Sequence, residues 1–261
     1  LYDSAQDQKV KSRLETLQRI QHALNNAEFV LYYQPKIDLN SLRPFGVEAL
    51  IRWQHPEQGL LPPSAFMHLI EGADLEIEIG EFVINESLKQ VNAWHATGLS
   101  IEMSINIAAK HLQSMDFVQK LQQALNLYPA LPRGILQIEV LETTALEDIS
   151  RAQAIIQACQ SIGISFALDD FGTGYSTLAY LRNLPADTLK IDQTFVRDML
   201  IDSGDLAIVQ GIIALANTFK RNTVAEGVET IEHIEALKKL GCQHGQGYGI
   251  ARPMPADNFP H

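Results

Sequence analysis

Acids, amides and one lysine lie in or close a series of short apolar runs along this 261-residue chain: Gln34, Glu48, Asn106, Glu139, the adjacent pair Asp169 and Asp170, Lys190, Glu226 and Gln246. Any one carboxylate alone reads as an ordinary solvated surface group, because Asp and Glu are mostly exposed. Gathered at one mouth, the same carboxylates would repel one another and retain protons unless a cation joined them. A divalent metal meets that need. The donors are all oxygens, carboxylates with an Asn carbonyl and no Cys or His, which suits hard ions such as Mg²⁺ or Mn²⁺ rather than Zn²⁺. Two such ions about 3.5 to 4 Å apart activate a water and neutralise a phosphoryl oxygen together, so the chemistry indicated is phosphodiester hydrolysis more than carbonyl chemistry.

Asp169 and Asp170 are the most suggestive pair. Neighbours on a strand point to opposite faces, but at a strand end entering a Gly-containing turn both can be brought toward one site, and one can bridge two ions. The plainer alternative is that Asp170 opens a turn before Phe171-Gly172. Lys190 either makes a structural ion pair with Asp192 or Asp170, or orients a water and offsets phosphate charge. His55 and His244 each lack a second His at ligand spacing and are read as structural. Trp94 and Phe82 fit the apolar stripe of a helix, and Cys159 is read as core in the same way.

The elements that must position these groups alternate along the chain. Strand-like runs occupy 29 to 34, 45 to 53, 101 to 106, 135 to 141, 164 to 170, 187 to 192, 222 to 227 and 242 to 248, with amphipathic helices predicted at 80 to 98, 114 to 125, 147 to 163, 205 to 219 and 230 to 241. Parallel strands joined by helical crossovers give a doubly wound sheet or a closed barrel; units of about 33 residues favour an α/β fold of the (β/α)8 TIM-barrel type, whose reactive residues gather at the C-terminal strand ends. Ahead of them, Leu14, Leu17, Ile20 and Leu24 follow a Ser12-x-x-Glu15 capping-box pattern. The domain reading is therefore a lead-in helix and linker over 1–25 and a barrel over 26–261.

Composition narrows the function classes. With 20 Lys+Arg against 31 Asp+Glu the net charge is −11, which argues against binding nucleic-acid polymer or an anionic membrane through a basic face. Cys159 and Cys242 are the two cysteines, too few for a disulfide framework or a zinc cluster, so the domain reads as reduced and cytoplasmic. No apolar run approaches the roughly 20 residues of a membrane span. Opening at Leu1, the chain reads as a segment of a parent protein that could itself be membrane-anchored.

Taken together, the motifs resemble a known family. Glu48-Ala49-Leu50-Ile51-Arg52-Trp53 is similar to the E-A-L-x-R-W signature of EAL domains, the bacterial cyclic diguanylate (cyclic di-GMP) phosphodiesterases. Ser104-Ile105-Asn106, Glu139-Val140-Leu141-Glu142, Asp169-Asp170-Phe171-Gly172-Thr173-Gly174-Tyr175-Ser176, Leu189-Lys190-Ile191-Asp192, Ala225-Glu226-Gly227-Val228-Glu229 and Gln246-Gly247-Tyr248 follow in the family's order, over about residues 29 to 255. The departures are Ala108 and Thr177, where Ser is common, and neither removes a ligand.

The resemblance implies a (β/α)8 barrel with one antiparallel strand, and an enzyme that opens cyclic diguanylate to linear 5'-pGpG with two Mg²⁺ or Mn²⁺ ions and is inhibited by Ca²⁺. It implies that Glu48, Asn106, Glu139 and Asp169 bind one metal, and that Asp169 and Asp170, with Glu226, hold the second. Lys190 would contact the nucleophilic water, Glu226 is the candidate general base, and Gln34, Leu50, Arg52 and Gln246 would meet substrate, Arg52 by a bidentate phosphate contact. Glu142 and Glu229 would support the site, Glu142 by pinning the loop from Asp170 to Ser176, whose Gly172, Thr173 and Gly174 form a mobile turn. Leu1 to Ala5 is similar to the tail of a GGDEF-type domain, implying an upstream cyclase or sensory module, and the family implies a homodimer for which Leu181, Leu184, Phe195 and Met199 are candidate contacts. The competing reading is a catalytically silent cyclic diguanylate receptor; such a protein typically loses a ligand such as Asp170 or Glu139, or Lys190, and all are retained here. A Mg²⁺ barrel enzyme of enolate chemistry would also gather acids at strand ends, but leaves these motifs unexplained.

Overall fold

Period-two burial sets the first strand: Phe29, Leu31 and Tyr33 are buried while Val30 and Tyr32 are half-buried, so the odd residues face helices and Gln34 and Lys36 turn to the opposite side. The computed structural model describes residues 4–142, 149–174 and 178–259. Its strands are β1 (Phe29–Asp38), β2 (Pro44–His55), β3 (Gly59–Leu61), β4 (Glu102–Asn106), β5 (Leu136–Leu141), β6 (Ser165–Phe171), β7 (Thr188–Ile191), β8 (Asn222–Ala225) and β9 (His244–Gly245). The ladder runs β1-β9-β8-β7-β6-β5-β4-β2 and closes where β1 pairs with β2, while β3 hangs from β2 as a short hairpin. This is the expected closed α/β barrel.

β1 runs antiparallel to both neighbours, and the other barrel pairs are parallel. The connection explains the exception. Asp38 Oδ1 accepts from the backbone N–H groups of Asn40 (3.0 Å) and Ser41 (2.6 Å), and Leu42 adopts a left-handed φ of 57°. So short an Asx-type turn can join only antiparallel strands, whereas a parallel step needs a crossover.

The helices are α1 (Ser4–Asn25), α2 (Met67–Ile70), α3 (Leu75–Ala96), α4 (Ala109–Leu112), α5 (Phe117–Asn126), α6 (Ile149–Ser161), α7 (Leu178–Asn183), α8 (Gln193–Asp198), α9 (Ser203–Thr218) and α10 (Ile231–Leu240). Two helix starts move the most. α1 passes through Ser12, which is therefore not an N-cap, because nothing between Ser4 and Lys11 breaks a helix. α3 begins before Gly80, which lies inside it because a Cβ there would stand 2.1 Å from His111 Nδ1. The last turns of α1 bury Ile20 and Ala23 in the core. Arg19 reaches Glu28 at 2.7 Å, and Trp53 Nε1 donates to the same carboxylate at 2.8 Å.

Inside the barrel the floor is polar. The ammonium of fully buried Lys36 donates to Glu102 (2.9 Å), Ser104 (2.5 Å) and Gln137 (3.4 Å), and Gln137 donates to Thr188 (3.3 Å). Such a layer satisfies its members only as a unit. Above it, the segment after β9 presses on the segment after β8: a Cβ on Gly247 would lie 2.2 Å from Val228 N and 2.3 Å from Val228 O. A Gly247→Ala variant must part these backbones and break the Val228 N–H to Gln246 O bond of 3.0 Å. We expect a loss of about 2 kcal/mol or more and a Tm lower by several degrees; thermal unfolding at an unchanged Tm would refute it.

Candidate active site

Two carboxylates adjacent in sequence reach one site through a defect in the sheet. On the β6–β7 ladder Leu168 pairs with Leu189 and Phe171 with Ile191, so Asp169 and Asp170 together stand opposite Lys190. This bulge puts Asp170 at a left-handed φ of 53°, a conformation that Asp tolerates better than most residues. Ligand oxygens of Asp169, Asp170 and Glu226 consequently lie within 4.8 Å of one another. The alternative turn role holds as well: the Asp170 carbonyl accepts from Thr173 N (3.3 Å) and Thr173 Oγ1 (2.8 Å).

Lys190 is the hub of the acids. Its Nζ lies 2.5 Å from Glu139, 2.8 Å from Glu226, 3.0 Å from Asp169 and 3.7 Å from Glu48. Neither ion-pair partner expected from sequence, Asp192 or Asp170, is among these. Asp192 instead caps α8, accepting from the Thr194 backbone at 2.8 Å, because the chain turns into that helix directly after β7.

Glu48 is held by amides. Asn106 Nδ2 donates to its Oε1 at 2.6 Å and Gln246 Nε2 to its Oε2 at 2.7 Å; the same Gln246 nitrogen meets Gln34 Oε1 at 3.0 Å, and Gln34 donates onward to the Ala251 carbonyl at 3.0 Å. Gln34 and Glu48 face each other across the β1–β2 pair in mid-strand, not at strand ends as expected. β1 runs the other way, and β2 continues past the mouth to pair with β3. Farther along β2, Leu50 lines the cavity described below, and Arg52, half-buried over the Tyr32 ring, donates to the Ile51 carbonyl at 2.9 Å. Glu142 accepts from Gly172 N at 3.0 Å and lies against Gly174, which places it under the start of the loop; Tyr175, Ser176 and Thr177 lie outside the described residues.

A cavity of about 360 Å³ opens over this cluster, lined by Gln34, Glu48, Glu226, Glu229 and Gln246 among the expected residues. Gln193, Arg197 and Tyr248 line it too and were not foreseen; Tyr248 completes the Q-G-Y motif, whereas Gln193 and Arg197 carried no signal beyond their place just after Lys190. A cavity of about 380 Å³ beside α3 and α5 holds none of these carboxylates. His55 and His244 have structural surroundings, their rings packed at a tilt against Trp53 and Phe45 respectively.

Electrostatics at the cluster ask for a cation. Burial, reinforced by the neighbouring acids, pushes Glu139 up to about 7 against the pull of Lys190. Burial likewise raises Glu226 well above the usual carboxylate range. Asp170 rises to about 7 through burial and the charge of Asp169. Glu48 alone goes the other way: burial opposes it, but Lys190 and the two amide hydrogen bonds prevail and lower it. Despite burial, the surrounding acids raise Lys190 further, so it stays charged. Glu139 Oε1 and Gln246 Oε1 are buried without a hydrogen-bond partner. Orphaned acceptors among proton-retaining carboxylates fit a divalent, oxygen-seeking metal.

The apolar residues considered for a dimer face belong elsewhere: Leu181, Leu184 and Met199 are buried in the core and Phe195 packs against it. Among the described residues no helix is long and apolar enough to cross a membrane.

Comparison with known proteins agrees with the motifs. The family model described as the EAL domain matches residues 17–253. The chain is 38% identical over 259 residues to the bifunctional diguanylate cyclase/cyclic di-GMP phosphodiesterase MucR of Pseudomonas aeruginosa, covering 99% of this chain and 38% of that protein. It superposes on the solved MucR phosphodiesterase in complex with c-di-GMP with a TM-score of 0.89 at 39% identity, covering 93% of this chain and 98% of that one. A structure of the EAL enzyme Bd1971 with cAMP and cyclic-di-GMP bound gives a TM-score of 0.90 at 33% identity, covering 96% and 69%. The chain spans between 30% and 43% of the length of the first curated relatives it matches.

Proposed function

The chain belongs to the EAL domain family, and from that premise we propose that it is a metal-dependent phosphodiesterase that hydrolyses cyclic diguanylate to linear 5'-pGpG. The observation that carries the reading is the β6 bulge, which sets Asp169 and Asp170 beside Glu226 and opposite Lys190 under a cavity large enough for a nucleotide. In hydrolysis a water oxygen bonds to phosphorus, the bond from phosphorus to the 3' oxygen breaks, and the ring opens to a 5'-phosphate and a 3'-hydroxyl.

Glu48, Asn106, Glu139 and Asp169 would hold one Mg²⁺ or Mn²⁺, and Asp169, Asp170 and Glu226 the second; when bound, the ions would supply Lewis acidity at the phosphoryl oxygen and lower the pKa of a water. Glu226, beside Asp169 and Asp170, is the group placed to take that water's proton. Lys190 stays charged and opposes charge developing on phosphorus-bound oxygen. Gln34 and Gln246 offer amide edges to a guanine, and Arg52 offers a fork to phosphate.

The test is incubation of the domain with cyclic diguanylate and Mg²⁺ or Mn²⁺, with EDTA and Ca²⁺ arms, and chromatography of the products. We expect pGpG that vanishes with EDTA and declines with Ca²⁺. Tight binding with no product under any metal would overturn catalysis in favour of a silent receptor.

A further inference from the structure

The polar floor of the barrel stands directly under the residues assigned to the metal. Ser104 precedes Asn106 by two positions, Gln137 precedes Glu139 by two and Thr188 precedes Lys190 by two, so each floor residue shares a strand face with a site residue one layer up. The ladder sets the layers side by side, with Ser104 opposite Gln137 and Asn106 opposite Glu139. On β1, which runs the other way, Lys36 lies two residues beyond Gln34. A shift of a floor residue is therefore carried to its site neighbour through two peptide units of the same strand.

One buried cation orders that floor. The Lys36 ammonium donates to Ser104 Oγ at 2.5 Å and to Gln137 Oε1 at 3.4 Å, and it pairs with Glu102 at 2.9 Å. Ser104 Oγ donates in turn to Gln137 Oε1 at 2.9 Å, and Gln137 Nε2 donates to Thr188 Oγ1 at 3.3 Å. An ammonium can only donate, so it sets the sense of every bond that follows. Ser104 must accept and then donate, and Gln137 must turn its oxygen to Lys36 and Ser104 and its nitrogen to Thr188. In an uncharged floor the hydroxyl is free to rotate and the amide to reverse. The lysine is itself confined. A Cβ on Gly46, two residues before Glu48, would come within 2.9 Å of Lys36 Cε, and the ammonium lies 5.5 Å from the centre of the Phe45 ring. Its carboxylate partner Glu102 is a quarter exposed, so water can hydrate that acid once the lysine is removed.

We propose that Lys36 is a positioning residue of the metal centre: through Ser104, Gln137 and Thr188 it holds Asn106, Glu139 and Lys190 at the heights and orientations the ions require, while touching neither metal nor substrate. The inference rests on the metal-dependent phosphodiesterase reading above. Lys36→Met keeps the length of the side chain and removes its donors. It should weaken Mn²⁺ binding, measured by calorimetry without substrate, roughly 10- to 100-fold, the effect of losing a partner that orients metal ligands. With Mn²⁺ saturating, kcat for cyclic diguanylate should stay about tenfold or more below the parent and KM within about twofold, because Arg52 and Gln246 lie outside this chain of bonds. Ser104→Ala cuts the chain at its first step and leaves the charge in place, so it should move both quantities in the same direction by less. The double variant should be little worse than Lys36→Met alone, since the two side chains act in series.

A merely structural lysine predicts a lower Tm with parental Mn²⁺ affinity and parental kcat per folded molecule, and that result would overturn the proposal. Fully additive losses in the double variant would overturn it too. Should Lys36→Met yield no folded protein, Ser104→Ala decides: weaker Mn²⁺ binding with lower kcat upholds the role, and parental values of both remove it. The premise is read from the parent. A parent that binds no Mn²⁺ refutes the metal centre itself and the proposal with it. If the parent binds Mn²⁺ without turnover, the phosphodiesterase reading fails separately and the Mn²⁺ affinities decide Lys36: about tenfold weaker binding by the variant upholds it, and equal binding removes it.

Discussion

A Lys190→Met variant is expected to lose turnover by roughly 10² to 10⁴-fold and to lose stability in a pH-dependent way. In the parent, Lys190 Nζ lies within 4 Å of Glu48, Glu139, Asp169 and Glu226. Removing one member of a buried charged cluster costs about 3 to 5 kcal/mol, because the remaining charges lose their partner. The sign of the pH dependence follows from the acids. Glu139 sits at about 7 against an ordinary 4.5, so the folded state holds its proton where the unfolded chain has released it. Stability from this group is therefore full below about 4.5 and falls as pH rises to about 7. Lys190 is what restrains that rise. Without it the carboxylates go higher still, so the decline becomes deeper and extends to higher pH. Urea unfolding of metal-free protein should show the variant near the parent at acidic pH and far below it at alkaline pH. Parallel curves across that span would sink the account.

How far the chemistry could be foreseen depends on which signal carried it. The polar groups on β4, β5, β7 and β8 were legible because Asn106, Glu139, Lys190 and Glu226 interrupt or close short apolar runs of strands that are buried on both faces, a pattern that needs no tertiary information. The run from 29 to 34 makes Gln34 look like a strand end, with Pro35 next in the chain. In the folded chain β1 continues through Pro35, and the ladder irregularity comes between Lys36 and Ile37. A proline cannot donate to a ladder, so it reads as a terminus when the neighbouring bulge is unseen. The turn from Asp38 to Arg43 is a local hairpin signal within a chain otherwise dominated by strand-helix repeats. Lys36 was invisible for another reason. Its partners Glu102, Ser104 and Gln137 are far away in sequence, and nothing local marks a lysine that will be buried.

The second large effect concerns Glu48→Gln, which keeps the shape of the side chain and removes its charge. Both Glu48 oxygens accept, from Asn106 at 2.6 Å and from Gln246 at 2.7 Å. An amide offers one acceptor and one donor group, so one of these contacts becomes donor against donor. If the new NH₂ faces Gln246, that side chain is pushed away and its bond to Gln34, at 3.0 Å, loosens with it. If it faces Asn106, the Asn106 amide must turn, which disturbs a second proposed ligand of the same ion. Either arrangement also leaves Lys190 with one fewer acid nearby. Turnover should fall by roughly 10³-fold or more through loss of metal-assisted charge stabilisation, and Mn²⁺ affinity measured by calorimetry should drop about 10- to 100-fold or more. The two readouts separate causes: if saturating Mn²⁺ restores turnover, Glu48 serves occupancy of the ion, and if it does not, the charge acts in the reaction itself. Parental turnover and Mn²⁺ affinity together would remove Glu48 from the ligand set, and with it the amide relay from Gln34 through Gln246 as a means of positioning the site.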